Sequence, residues 1–200
     1  MNQTQPIRSL LRLITFGGIT VLHTTALHAQ SNGVNPVPTT LQPPSGHKQY
    51  LRAGAIGTQN YICMPSGWTF AGPQATLYIT IPWINGPIRQ QITTHFLSPN
   101  PTENGTPRPA WQGSLDTSAV WANPIANSAD SAEPGAIPWL LLQVVGSQKG
   151  PAGGSALSET TYIQRVNTTG GIVPTGACTV GARSFVPYTA DYVFFRKAGA

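Results

Sequence analysis

Residues 75–81 alternate cleanly: Leu77, Ile79 and Ile81 fall on one face, Thr76, Tyr78 and Thr80 on the other. A period of two predicts a half-buried strand. Asn85-Gly86-Pro87 is a turn signal, and 88–96 predicts the partner strand beyond it. Upstream, 49–55 and 58–63 flank Gly57 as the arms of a hairpin would. Residues 97–110 carry Pro99, Pro101, Pro107 and Pro109 and predict a loop, and 111–123 is mixed. The apolar run at 137–145, interrupted only by Gln143, suits a central strand buried on both faces. A Gly/Pro turn at 146–155, a β-branched stretch at 160–167, a turn region at 168–177 and a last strand at 190–196 complete the pattern. No window sustains helical periodicity and no internal repeat is visible. The expectation is an all-β fold: a single-domain β-sandwich or barrel of about seven to nine short strands.

The amino end has a different character. Arg8 and Arg12 precede a mostly apolar stretch at 10–22, and Ala26-Leu27-His28-Ala29 ends on a small residue. This order predicts a cleaved export signal over 1–29. The apolar run is short and interrupted by Gly17 and Gly18, a poor fit to a span of about 20 residues. No later segment is apolar enough to cross a bilayer. Cleavage after Ala29 would leave 171 of the 200 residues. Residues 30–45 hold Pro36, Pro38, Pro43 and Pro44 and predict a flexible lead-in. The domain is expected over 46–200. Periplasm or external medium is the expected location.

Composition narrows the functions. Only 8% of residues are charged, against about 25% in a typical domain. Loss of Arg8 and Arg12 would leave nine basic against six acidic residues, a net charge of +3. No basic run exists, which argues against a nucleic-acid partner. Both cysteines, Cys63 and Cys178, lie after the signal, and an even count in an exported chain favours one disulfide. The alternative is a pair of buried free thiols.

Catalytic signatures are absent from the sequence. No P-loop, H-E-x-x-H or G-x-S-x-G occurs, and no G-x-G-x-x-G follows a strand. His47 and His95 are the only histidines after the signal, and neither sits at metal-ligand spacing. Neither a metal nor a cofactor is expected. Asp130 and Glu133 are close in sequence but nothing positions them as an acid pair. Arg165 sits mid-strand and Asp191 opens the final strand, so a structural Arg165–Asp191 pair is the simplest expectation. The sharper one is a pocket in which His95, Trp111, Arg165 and Asp191 converge on a small anionic or glycan ligand. Trp139 reads as core. Tyr188 and Tyr192 read as packed rings with hydroxyls reaching backbone.

Several blocks carry a resemblance. They are Gly57-Thr-Gln59-Asn-Tyr61-Ile-Cys63, Trp68-Thr-Phe70, Pro134-Gly-Ala-Ile-Pro-Trp139-Leu-Leu-Leu142, Tyr162-Ile-Gln-Arg165-Val-Asn167-Thr-Thr-Gly-Gly171, Gly176-Ala-Cys178 and Val186-Pro-Tyr188-Thr-Ala-Asp191-Tyr192. They resemble the secreted fungal and bacterial proteins of domain-of-unknown-function family 3455. His95, Trp111 and Ser114 look like its H…W…GS segment, although the stretch from His95 to Trp111 is longer here. Some members carry the name malate dehydrogenase, which the absent dinucleotide fingerprint does not support. The resemblance implies the cysteine pair and brings no catalytic residue or cofactor. An exported binding or envelope-associated module is therefore expected. The alternatives are an extracellular enzyme acting on polymers or small anionic substrates, and a purely structural surface protein.

Overall fold

A computed structural model describes residues 36–199. The expected export signal lies outside the described residues. Eight antiparallel strands follow one another in order and close into a barrel. They are β1 (His47–Met64), β2 (Gly67–Ile81), β3 (Ile88–Asn100), β4 (Thr106–Gly113), β5 (Ala119–Ser128), β6 (Trp139–Gln148), β7 (Tyr162–Gly170) and β8 (Arg183–Lys197). Pairing of β1 with β8, from His47 opposite Lys197 to Ile62 opposite Arg183, removes the sheet edges. Among the described residues the only helical pieces are single 3-10 turns at Thr39–Leu41 and Pro101–Glu103.

The expected all-β class holds, and of the two architectures the chain adopts the barrel. The alternation at 75–81 is inward for Leu77 and outward for Thr76 and Thr80, as its period requires. Two expected elements differ. Gly57 does not turn a hairpin; it lies inside the continuous β1, opposite Ala75. A Cβ at Gly57 would collide with the Gln74 carbonyl and the Ala75 backbone. The glycine marks a close approach of two strands, not a reversal. The proline-rich 97–110 is not a loop. It forms the end of β3 and the start of β4 around the turn at Pro101–Glu103. Arg108 donates to both Glu103 carboxylate oxygens, at 2.9 and 2.8 Å, and pins that hairpin.

The inner face of the barrel is largely apolar. No helix among the described residues is long and apolar enough to cross a membrane. Inside, Leu77, Trp111, Val120, Ile163, Tyr188, Tyr192 and Phe194 pack into one cluster. Small residues, Ala53, Ala55 and Ala75, line the side where β1 and β2 approach.

A second cluster lies on the outer face: Leu41, Trp139, Leu141, Val166 and Val193. It explains the run at 137–145. Leu140 and Leu142 point inward while Trp139 and Leu141 point outward under the segment at 37–41. Leu41 is fully buried, and Gln164 Nε2 donates to its carbonyl at 2.6 Å. Within the expected lead-in, Val37 and Leu41 pack against the barrel, where the leucine covers outward-facing apolar side chains that would otherwise meet water.

Candidate functional site

The barrel is not filled to both ends. A cleft of about 210 Å³ remains inside it, toward the end built by the loops 65–66, 101–105, 129–138 and 171–182. Its polar lining is Gln59, His95, Trp111, Arg165 and Tyr192. Its apolar wall is Ile137, Leu140 and Leu142 with four prolines, Pro73, Pro109, Pro124 and Pro138. Phe70, half exposed, stands at its rim.

Register places each of these side chains. His95 faces Trp111 across β3 and β4, so the two share the inner face. Their rings stack with centroids 4.1 Å apart and planes 11° apart. Tyr192 packs edge-on against Trp111 at 5.6 Å. Arg165 faces Tyr192 across β7 and β8, which turns its side chain into the barrel. Gln59, Tyr61 and Cys63 alternate inward along β1.

Asp191 is not part of this site. It pairs with Val166, on the opposite face from Arg165 and Tyr192. Its carboxylate takes Arg52 Nη2 at 2.7 Å and Asn167 Nδ2 at 2.8 Å on the outside. The expected Arg165–Asp191 ion pair does not form, since one residue of strand separates inward from outward. The Arg52–Asp191 bridge is partly exposed and contributes little. Arg165 instead donates through Nε and Nη2 to the Pro138 carbonyl, at 3.2 and 2.9 Å. Among the described residues no carboxylate lies within ion-pair distance of it.

A family model described as "Protein of unknown function (DUF3455)" matches residues 44–196. The chain belongs to that family. No curated protein and no solved structure matches it. The blocks that carried the family resemblance now have places in the DUF3455 barrel. Gln59 and Arg165 line the cleft, and Cys63 and Cys178 form the disulfide that holds the 171–182 loop to the end of β1.

The electrostatics of the DUF3455 cleft follow from burial. His95 Nδ1 lies 2.9 Å from the Ala110 carbonyl, which can only accept, so Nδ1 carries the proton and Nε2 a lone pair. Burial pushes the His95 pKa down to about 3; the Ala110 bond opposes this and the Arg165 charge adds to it. The imidazole is neutral at neutral pH. Tyr192 is raised, first by burial, with the Arg165 charge opposing. Tyr188 is also raised by burial, and its hydroxyl meets that of Tyr192 at 3.3 Å rather than backbone. The lining holds no Ser, Cys, Lys or carboxylate. A base of such low pKa and phenols of raised pKa are poorly matched to acid–base work near pH 7.

Two buried donors stand out. Among the described residues, Gln59 Nε2 and Trp111 Nε1 have no partner within hydrogen-bond geometry, though both residues are at least 97% buried; the Gln59 amide lies near enough to the Tyr188 hydroxyl to oppose the rise in its pKa. Sequence reasoning located His95, Trp111 and Arg165 but passed over Gln59. The available signal was a polar residue on the inward face of β1, in step with Tyr61 and Cys63.

His95 sets a pH dependence. In the unfolded chain it titrates near ~6.5. Below that pH the unfolded state binds a proton that the folded state refuses, so stability present above ~6.5 is lost as pH falls toward 3. Urea unfolding is expected to show a loss of about 2 kcal/mol between pH 7 and 5, and much less in His95→Gln. Parallel curves for the two proteins would assign the slope to another group.

Proposed function

We propose that this protein is an exported binding module that encloses a small molecule inside its barrel. The observation that carries the reading is the pair of unpartnered, buried donors, Gln59 Nε2 and Trp111 Nε1, on a largely apolar cleft. An unsatisfied buried donor costs about 1–3 kcal/mol, and such groups are the exception in folded proteins. A ligand acceptor would relieve that cost. Eight-stranded barrels are wide enough to hold one small ligand. A cleft without a nucleophile and with a neutral, low-pKa histidine favours binding over turnover. Export fits the cross-link between Cys63 and Cys178 and the leader-like residues 1–29.

A larger open groove of about 570 Å³ lies on the outer face of β1 to β3, lined by Thr58, Asn60, Gln74 and Thr94. It is the less favoured site, because its lining includes neither unpartnered donor and no charged side chain.

Thermal unfolding of the oxidised protein against small organic acids, amides, alcohols and glycans tests the proposal. A lumen ligand at a hundredfold excess over its Kd is expected to add about 2.7 kcal/mol of stability. Filling the cleft with Leu142→Trp should abolish the shift. A shift that survives in a folded Leu142→Trp protein, or no shift with any class, refutes binding in the barrel.

A further inference from the structure

Resting on the lumen reading, we infer that the enclosed ligand is a small monocarboxylate, its carboxylate on Arg165 and its apolar body against Ile137, Leu140 and Leu142. Three observations lead there. The first is charge. Arg165 is the only charged side chain lining the cleft, and no carboxylate pairs with it among the described residues. Its field reaches Tyr61, His95, Tyr188 and Tyr192, so it acts throughout the interior. A low-dielectric wall strengthens the attraction of such a cation for an anion. One positive charge matches one negative charge, and a phosphate dianion would leave half its charge uncompensated.

The second is donor geometry. Guanidinium has five N–H donors, and the Pro138 carbonyl occupies the edge formed by Nε and Nη2. Apart from the neighbouring Tyr192 hydroxyl, no acceptor among the described residues meets the remaining guanidinium donors, and a planar carboxylate fits the end-on fork of Nη1 and Nη2 with two parallel bonds. Pro138 thereby holds the guanidinium in place before any ligand arrives. The third is polarity. Arg165, Trp111 Nε1 and Gln59 Nε2 offer donors only. A carboxylate offers acceptors to all three, whereas the N–H or O–H groups of an alcohol or amine find no acceptor among them and must turn to the His95 Nε2 lone pair. At about 210 Å³ the cleft is smaller than sites for drug-sized ligands, ~300–1,000 Å³, so the body is one ring or a short chain.

The experiment is a calorimetric titration of the oxidised protein with benzoate and hexanoate, set beside benzamide, hexanamide and benzylamine. The acids are expected to bind at least tenfold more tightly than their amides, and benzylamine not at all. In Arg165→Met the tenfold preference should disappear, and in Arg165→Lys, which keeps the charge but not the fork, part of it should remain. Gln59→Leu, which leaves the arginine in place, should weaken benzoate binding several-fold. Amides that bind as tightly as acids would overturn the carboxylate assignment while leaving the lumen reading intact. Failure of every probe, neutral ones included, would overturn the lumen reading with it. Should Arg165→Met not fold, the acid-to-amide ratio on the unaltered protein still decides.

Discussion

Replacing Cys63 and Cys178 together with alanine is expected to lower the unfolding free energy by about 3–5 kcal/mol. The bridge spans 115 residues and closes most of the barrel into one covalent loop. In the chain-entropy account, a loop of that length restricts the unfolded state by up to ~4–5 kcal/mol. The local structure adds to the cost. The 171–182 loop contributes few buried side chains; Ile172, Val173 and Val180 are exposed. Apart from the bridge, its hold on β1 is two backbone bonds between Cys63 and Gly181 and Ala182, and the Tyr61 hydroxyl on the Gly171 carbonyl. Gly171 also bridges to Ala136, beside the cleft residue Ile137. Loss of the bridge should therefore loosen the mouth of the cleft before it unfolds the barrel. Guanidinium unfolding of the double variant measures the first effect, and amide exchange across 171–182 the second. A stability loss below about 1 kcal/mol would mean that the loop is held by other contacts.

Trp111→Ala is expected to cost about 3–5 kcal/mol, the usual range for emptying a buried tryptophan site. Trp111 is fully buried and touches three rings: His95 face to face, Tyr192 and Phe194 edge to face. Those partners come from β3 and β8, so the ring joins opposite sides of the barrel. Removing it also enlarges the cleft, and small apolar molecules should then restore part of the stability. The check is urea unfolding with and without benzene. A loss near 1 kcal/mol would show that the interior collapses around the gap.

Local pattern carried part of this fold. The alternation at 75–81 and the Asn85-Gly86-Pro87 turn need only neighbouring residues, and both appear as expected. The pairing of Cys63 with Cys178 follows from there being two cysteines and no others. Gly57 was ambiguous in principle. A missing side chain permits a reversal or a close approach, and only the presence of Ala75 opposite tells which. The proline stretch at 97–110 misled for a similar reason. Proline is tolerated in a strand where its missing N–H is not needed, and that depends on the partner strand.

The candidate site divides along the same line. Residue type alone made His95, Trp111, Arg165 and Asp191 worth attention in so uncharged a chain. Their grouping was a matter of parity and closure. Arg165 faces inward with Tyr192, and Asp191 faces outward with Val166, because cross-strand partners share a face. Burial of the 137–145 run on both faces was legible as a run of apolar residues. Its cause was not, since Leu41 supplies the outer cover from about a hundred positions away. Composition and short-range periodicity are properties of a segment, so they announced strands, turns, low charge and a cysteine pair. Barrel closure, the inner or outer sense of each side chain and the unpartnered donors of Gln59 and Trp111 come from pairings between distant segments, which no local pattern encodes.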